Sequence, residues 1–128
     1  MNTTPIDMFS LGIHLDDDGT VLPGPRRMTG DSGGWTVAAF HVETDEDVHA
    51  DHWEMHPAAD EAVCVLSGGA RLYLRPQDRE QRETAVTLTA GTAFVVPRGR
   101  WHRLELDGPS DLMSVTLRRG TLLEKRLG

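Results

Sequence analysis

A single cysteine, Cys64, in 128 residues excludes a disulfide within the chain, so nothing here reads as a disulfide-stapled secreted module. A reducing cytoplasm is the expected setting. No stretch approaches the roughly 18 consecutive apolar residues that a membrane span needs. The opening "MNTTPIDMFS" has neither a basic start nor an apolar centre, so no secretory leader is expected. Basic charge is in short supply, with 13 Lys and Arg against 20 Asp and Glu and a formal net charge of −7. That balance argues against nucleic acid or an anionic membrane as a partner. Much of the acidic excess sits in "DDD" (Asp16 to Asp18) and "ETDED" (Glu43 to Asp47), both read as solvated loops. A glycine-rich phosphate loop is missing too, since "LPGPRR" lacks the strand-to-helix context such a loop requires. Internal repeats and low-complexity segments are absent. A chain with 38% hydrophobic and 26% charged residues is most simply one soluble globular domain.

Helical periodicity is the next absence. Apolar residues come instead in short, β-rich stretches bounded by turn residues, the pattern of an all-β sandwich or barrel. "WTVAAFHV" (Trp35 to Val42), "TAVTLTAG", "TAFVVP", "WHRLEL" and "LMSVTL" all read as strands, giving about nine in total. "EAVCVLSGGARLYLRP" reads as a hairpin turning at Gly68–Gly69, with Val63, Val65, Leu72 and Leu74 on one aliphatic face. The expected division is an N-terminal arm over 1–34 with room for a covering strand, a barrel over 35–118, and a C-terminal segment over 119–128. That last segment can be a short helix or an added strand. Phe40, Phe94, Val63, Leu72, Leu74, Val86, Leu88, Leu104 and Met113 are the expected lining or core.

One stretch is too polar for a structural strand. "HWEMHPAADE" (His52 to Glu61) spaces two histidines four residues apart, as a helical zinc motif does. The glutamate comes one place late for that motif, at Glu54. Pro57 biases His56 toward extended backbone, and no 3.6-residue apolar pattern surrounds the pair. The helical zinc reading fails.

Two separated stretches resemble the signature motifs of the cupins, small β-barrels that hold a divalent metal. The first motif runs His-x-His, three or four residues, Glu, six residues, Gly; His56, Glu61 and Gly68 match it, with Glu54 where the first histidine belongs. The second runs Gly, five residues, Pro-x-Gly, two residues, His. "GTAFVVPRGRWH" fits it through Gly91, Pro97, Gly99 and His102, although Leu106 stands where an asparagine usually follows. The resemblance spans roughly residues 35 to 118. It implies an all-β, single-domain cupin jelly-roll β-barrel.

The resemblance also implies a metal site, with Glu54, His56, Glu61 and His102 as ligands. On a strand, Glu54 and His56 are two apart and share a face. His52 shares that parity, so His52 or, after a bulge, His49 is an alternative to Glu54. Mixed nitrogen and oxygen donors suit iron, manganese, nickel or zinc. The function this suggests is a metal-dependent enzyme of dioxygenase or isomerase type acting on a small organic molecule inside the barrel. Glu61 can then double as a catalytic base. The competing reading is a non-catalytic small-molecule-binding or sensor cupin. Trp53 and Trp101 are expected to point away from the metal face, while Arg98, Arg100 and Arg103 can draw a carboxylate to the barrel mouth. Homodimerisation is expected through an outer face carrying Tyr73, Leu66 and Trp53.

Overall fold

A computed structural model of the chain describes residues 3–26 and 33–127. Of the expected N-terminal arm, residues 1, 2 and 27–32 lie outside the described residues.

Among the described residues there are eleven strands, one turn of 3-10 helix at Asp45–Val48, and no α-helix. In chain order the strands are β1 (Gly12–Leu15), β2 (Val21–Gly24), β3 (Trp35–Val42), β4 (His52–Met55), β5 (Glu61–Ser67) and β6 (Gly69–Leu74). They continue as β7 (Thr84–Thr89), β8 (Thr92–Val96), β9 (His102–Leu106), β10 (Ser110–Thr116) and β11 (Leu122–Lys125). They form two antiparallel sheets, one ordered β2-β1-β3-β10-β5-β8 and the other β11-β4-β9-β6-β7. This is the all-β architecture that the alternating pattern predicts, in the jelly-roll form that the resemblance implies. Within "TLLEKRLG", Leu122–Lys125 forms strand β11, paired to β4. Part of the expected arm also forms strands, since β1 and β2 extend the first sheet beside β3.

The "SGGA" segment corrects the hairpin reading. β5 pairs with β10 and β8, whereas β6 pairs with β7 and β9 in the other sheet. The connection is a corner at which the chain changes sheets. Gly68 makes that corner, with φ +82°, and a Cβ there would press on Ser110 Oγ and lie 2.6 Å from Pro109 O. The second short turn, between β7 and β8, likewise crosses between sheets.

The faces nevertheless fall as the alternation dictates, because side-chain parity is local and does not depend on which strand is the partner. Val63, Val65, Leu72 and Leu74 are all buried, together with Val42, Ala70, Leu88, Val96 and Leu112. Phe40, Val86, Phe94 and Leu104 pack against this core. Met113 is not in that cluster and instead lines the interior cavity.

The outer face of the second sheet carries a ladder of cations and rings. Arg75 stacks on Trp101 at 4.4 Å and on Trp53 at 5.9 Å, and Arg103 lies over Trp53 at 5.2 Å and over Tyr73 at 4.1 Å. Both tryptophans thus sit away from the ligand face, as the strand parity predicts. The expected apolar dimer patch does not form as one surface. Trp53 is only 6% exposed beneath its arginines, and Leu66 belongs to the opposite sheet.

Candidate metal centre

Glu54, His56, Glu61 and His102 come together between the two sheets. Glu54 projects from β4 and pairs directly with His102 on β9, so the ladder register itself sets these two side by side. Glu61 opens β5 in the opposite sheet. His56 follows the end of β4, where its backbone carbonyl accepts a hydrogen bond from Gly99 N at 2.9 Å. Gly99 has φ +82°, and Arg100 N donates to Pro97 O at 3.2 Å, closing a tight turn. Positive φ at the third position of such a turn is the reason for glycine there. The Pro-x-Gly stretch therefore does two things: it starts β9 in register to present His102, and it clamps the backbone of His56.

The four ligand atoms lie within 4.8 Å of one another. His56 Nε2 is 3.1 Å from Glu54 Oε1 and 3.4 Å from Glu61 Oε1, and His102 Nε2 is 3.0 Å from Glu61 Oε1. Donors sharing one ion at about 2.0–2.2 Å are at most about 4.4 Å apart, so shifts of a few tenths of an ångström would bring all four onto a common centre. Two imidazoles and two carboxylates supply two negative charges, which match a divalent cation. These four residues fit a metal ion.

Each candidate ligand is also held from behind. His56 Nδ1 is 2.8 Å from Thr121 Oγ1, and Thr116 Oγ1 donates to Glu61 Oε2 at 2.8 Å. Arg118 Nη2 donates to Glu54 Oε2 at 3.2 Å, and His102 Nδ1 faces the Arg100 carbonyl at 3.4 Å. Such outer partners fix ring orientation and free one atom of each ligand for the ion.

The electrostatics show the strain of this cluster. For His56, burial opposes the charged form, but hydrogen bonds to Glu54 and Glu61 and their charges prevail, raising its pKa to about 9. For Glu61, burial again opposes charge, but hydrogen bonds and attraction from His102 and His56 hold the carboxyl well below its usual range. Glu54 is lowered as well: burial and the Glu61 charge push it up, while the His56 hydrogen bond and the charges of Arg118 and His56 outweigh them.

His52 does not join the cluster. Its Nδ1 is bonded to Asp51 Oδ1 at 2.8 Å, and its ring lines the same cavity one step further along β4. His49 also lines the cavity rather than the ligand group. Among the arginines beside the second motif, Arg98 stays exposed near Asp60, and Arg100 donates to the Arg75 carbonyl. Arg103 pairs with Glu83 and Glu105. The guanidinium that reaches the ligands is Arg118, which sequence reasoning missed along with Thr116 and Thr121. Strand parity could have pointed to Thr116, since Leu112, Ser114 and Thr116 follow one another on one face of β10.

The cluster adjoins a cavity of about 410 Å³. Phe40, Val42, Val63, Leu104, Leu112 and Leu123 give it a largely apolar wall, with Glu54, Glu61, His102, Ser114 and Arg118 at the ligand end.

Residues 39–117 match the family model described as a cupin domain. No curated protein matches the chain. Among solved structures, the fold is similar to an Fe(II)-bound HppE with an alternative substrate, at 22% identity and a TM-score of 0.51. That match covers 65% of this chain and 42% of the other. Bacillus subtilis oxalate decarboxylase, described with Mn(II) centres, matches at 20% identity and a TM-score of 0.52, covering 71% of this chain and 23% of the other. A hydroquinone 1,2-dioxygenase in complex with Cd²⁺ and 4-hydroxybenzonitrile matches at 18% identity and a TM-score of 0.50. There the match covers 71% of this chain and 62% of the other. The chain therefore spans less than two thirds of each of these proteins. Likeness at these identities establishes a shared fold.

Proposed function

The chain belongs to the cupin domain family, and on that footing we propose that Glu54, His56, Glu61 and His102 ligate a divalent metal and serve a metal-dependent enzyme. Its substrate is a small organic molecule bound in the interior cavity. The observation that carries this reading is the convergence of the four donors, each backed by a separate partner, onto the end of a cavity of about 410 Å³. That volume lies within the roughly 300–1,000 Å³ usual for small-molecule sites. A bound ion would supply Lewis-acid polarisation of a substrate oxygen or, for a redox metal, oxygen chemistry of dioxygenase type. The residues around it would orient the substrate: Arg118 and Ser114 at the polar end, the apolar wall beyond. Glu61 enters the proposal as a ligand through Oε1, and as a base only when that oxygen swings away from the ion, because Thr116 holds Oε2.

Isomerisation and oxygenation differ in whether oxygen is consumed, so an oxygen electrode with metal-loaded protein separates them. The non-catalytic sensor reading would keep metal and ligand binding while turning nothing over. The lone cysteine supports a reducing compartment, the cytoplasm, as the place of action. Among the described residues, no helix is long and apolar enough to cross a membrane. A homodimer remains part of the proposal, now supported by Val21 and Leu22, which are 60% and 51% exposed on the edge strand β2.

The deciding experiment is elemental analysis of untagged protein, with His102→Ala and Glu54→Ala beside it. Near-stoichiometric metal in the wild type and its loss in His102→Ala are expected. Glu54→Ala should bind metal weakly, and His52→Ala should retain it. Wild-type protein that holds no metal after exposure to iron, manganese, nickel and zinc sinks the reading.

A further inference from the structure

The ligand cluster borders two spaces of opposite character. One is the largely apolar cavity of about 410 Å³. The other is an alcove of about 30 Å³ bounded by Arg26, Thr36, Ser114, Thr116 and Arg118, with Ala38 and Phe40 completing it. Phe40, Ser114 and Arg118 line both, so the two meet there. The alcove also touches the ligands from behind, since Thr116 donates to Glu61 and Arg118 donates to Glu54. Arg26 is fixed in place by a hydrogen bond from Nη1 to Ala39 O at 2.6 Å and by its stacking on the Phe40 ring at 5.0 Å.

We propose that the molecule bound at this centre is a monocarboxylic acid with an apolar body, its carboxylate in the alcove between Arg26 and Arg118. The proposal rests on the metal-dependent reading above and names its substrate class. Size supports it: a volume of about 30 Å³ holds about two water-sized groups, the bulk of a carboxylate. Charge supports it as well. A metal ion takes its carboxylate ligands deprotonated and its imidazole ligands neutral. Once a divalent ion balances Glu54 and Glu61, the guanidiniums of Arg118 and Arg26 give the alcove a net positive charge. Planar guanidinium forks and the hydroxyls of Thr36 and Ser114 suit a flat, two-oxygen anion, and charge-assisted hydrogen bonds of this kind are the strong ones. The apolar wall of the larger cavity then receives the rest of the molecule. Because the alcove and the cavity meet beside the ligands, the atoms next to the carboxylate would lie nearest the metal. The substrate is thus an acid that reacts close to its carboxyl group.

The test uses the full chain loaded with zinc, with metal content measured by elemental analysis before each titration. Phenylacetate and 3-phenylpropionate are titrated calorimetrically beside phenylacetamide and 3-phenylpropionamide, which have the same shape without the charge. The acids should bind about tenfold tighter than the amides, the order of one charge-assisted hydrogen bond. Arg26→Met should erase that preference and leave metal content unchanged, because Arg26 touches none of the four candidate ligands. Arg26→Lys should keep part of the preference, and thermal melts of both variants check folding. Equal affinity for acid and amide, binding of neither, or a preference that survives Arg26→Met overturns the proposal. Wild type without retained metal sinks the functional reading instead; the acid-versus-amide comparison on that same protein still decides the alcove by the same criteria.

Discussion

At the proposed metal centre, His56 is the residue where protons would compete with the ion. Its pKa of about 9 in the metal-free protein means that an incoming ion must displace a proton at neutral pH. Metal affinity should therefore strengthen as pH rises toward 9, with proton release measurable by calorimetry in buffers of different ionisation enthalpy. The stability of the metal-free fold should move differently. His56 is raised above 6.5, so its contribution is complete below 6.5 and lost as pH climbs through about 9. Glu54 and Glu61 are lowered from 4.5, so theirs is present above 4.5 and lost as pH falls through their depressed values. In the presence of chelator, this cluster should support the fold best between pH 4.5 and 6.5, which a series of thermal melts checks. Melting temperatures that ignore pH across both limits would contradict the ionised, mutually paired cluster. The partners behind the ligands make a second residue-scale prediction. Thr121→Val removes the group that orients His56 Nδ1 and should weaken metal binding by about 10–100-fold while leaving the overall fold intact. Competition with a chromogenic chelator reads that loss, and unchanged affinity would make Thr121 a bystander.

At the scale of the element, the turn at Gly68 is the most exacting. Any side chain there meets both a positive φ and the backbone at Pro109 and Ser110, so Gly68→Ala should cost about 1–3 kcal/mol. Urea denaturation measures it, and a cost within error of zero would mean the corner relaxes freely. The same corner marks where sequence reading stops. Alternation told which side of β5 and β6 faces inward, because a two-residue period is written in neighbouring residues. It could not tell a hairpin from a crossing between sheets, because both begin with the same glycine turn and differ only in distant partners. The clustered candidate ligands were legible for a related reason: spacing within each motif is local, and His56, Glu61 and His102 stand at fixed intervals from Gly68, Pro97 and Gly99. Arg118, Thr116 and Thr121 were not, since each meets its ligand across 55 to 65 residues of chain. The arginines close to the motif drew attention by proximity in sequence, but Arg103 had already been taken up by the rings and acids of the outer face.

For the whole molecule, the edge strand β2 sets the question of assembly. It leaves Val21 and Leu22 exposed along an edge with no further strand beside it among the described residues. Two copies meeting there would bury those side chains, and light scattering should then return twice the 14.1 kDa chain mass at micromolar concentration. Leu22→Lys should return the single-chain mass; wild type that is already monomeric removes the dimer. The placement of the ligands has a consequence for the molecule as a mechanical object. Glu61 hangs from one leaf of the sandwich, and Glu54 and His102 from the other. Anything seated among the four would act as a rivet through both leaves, added to the direct pairing of Glu61 with His102 and His56 that already joins them. The gap between the leaves is also the room the guest occupies, so the ion that would meet the guest also gauges the space it is given.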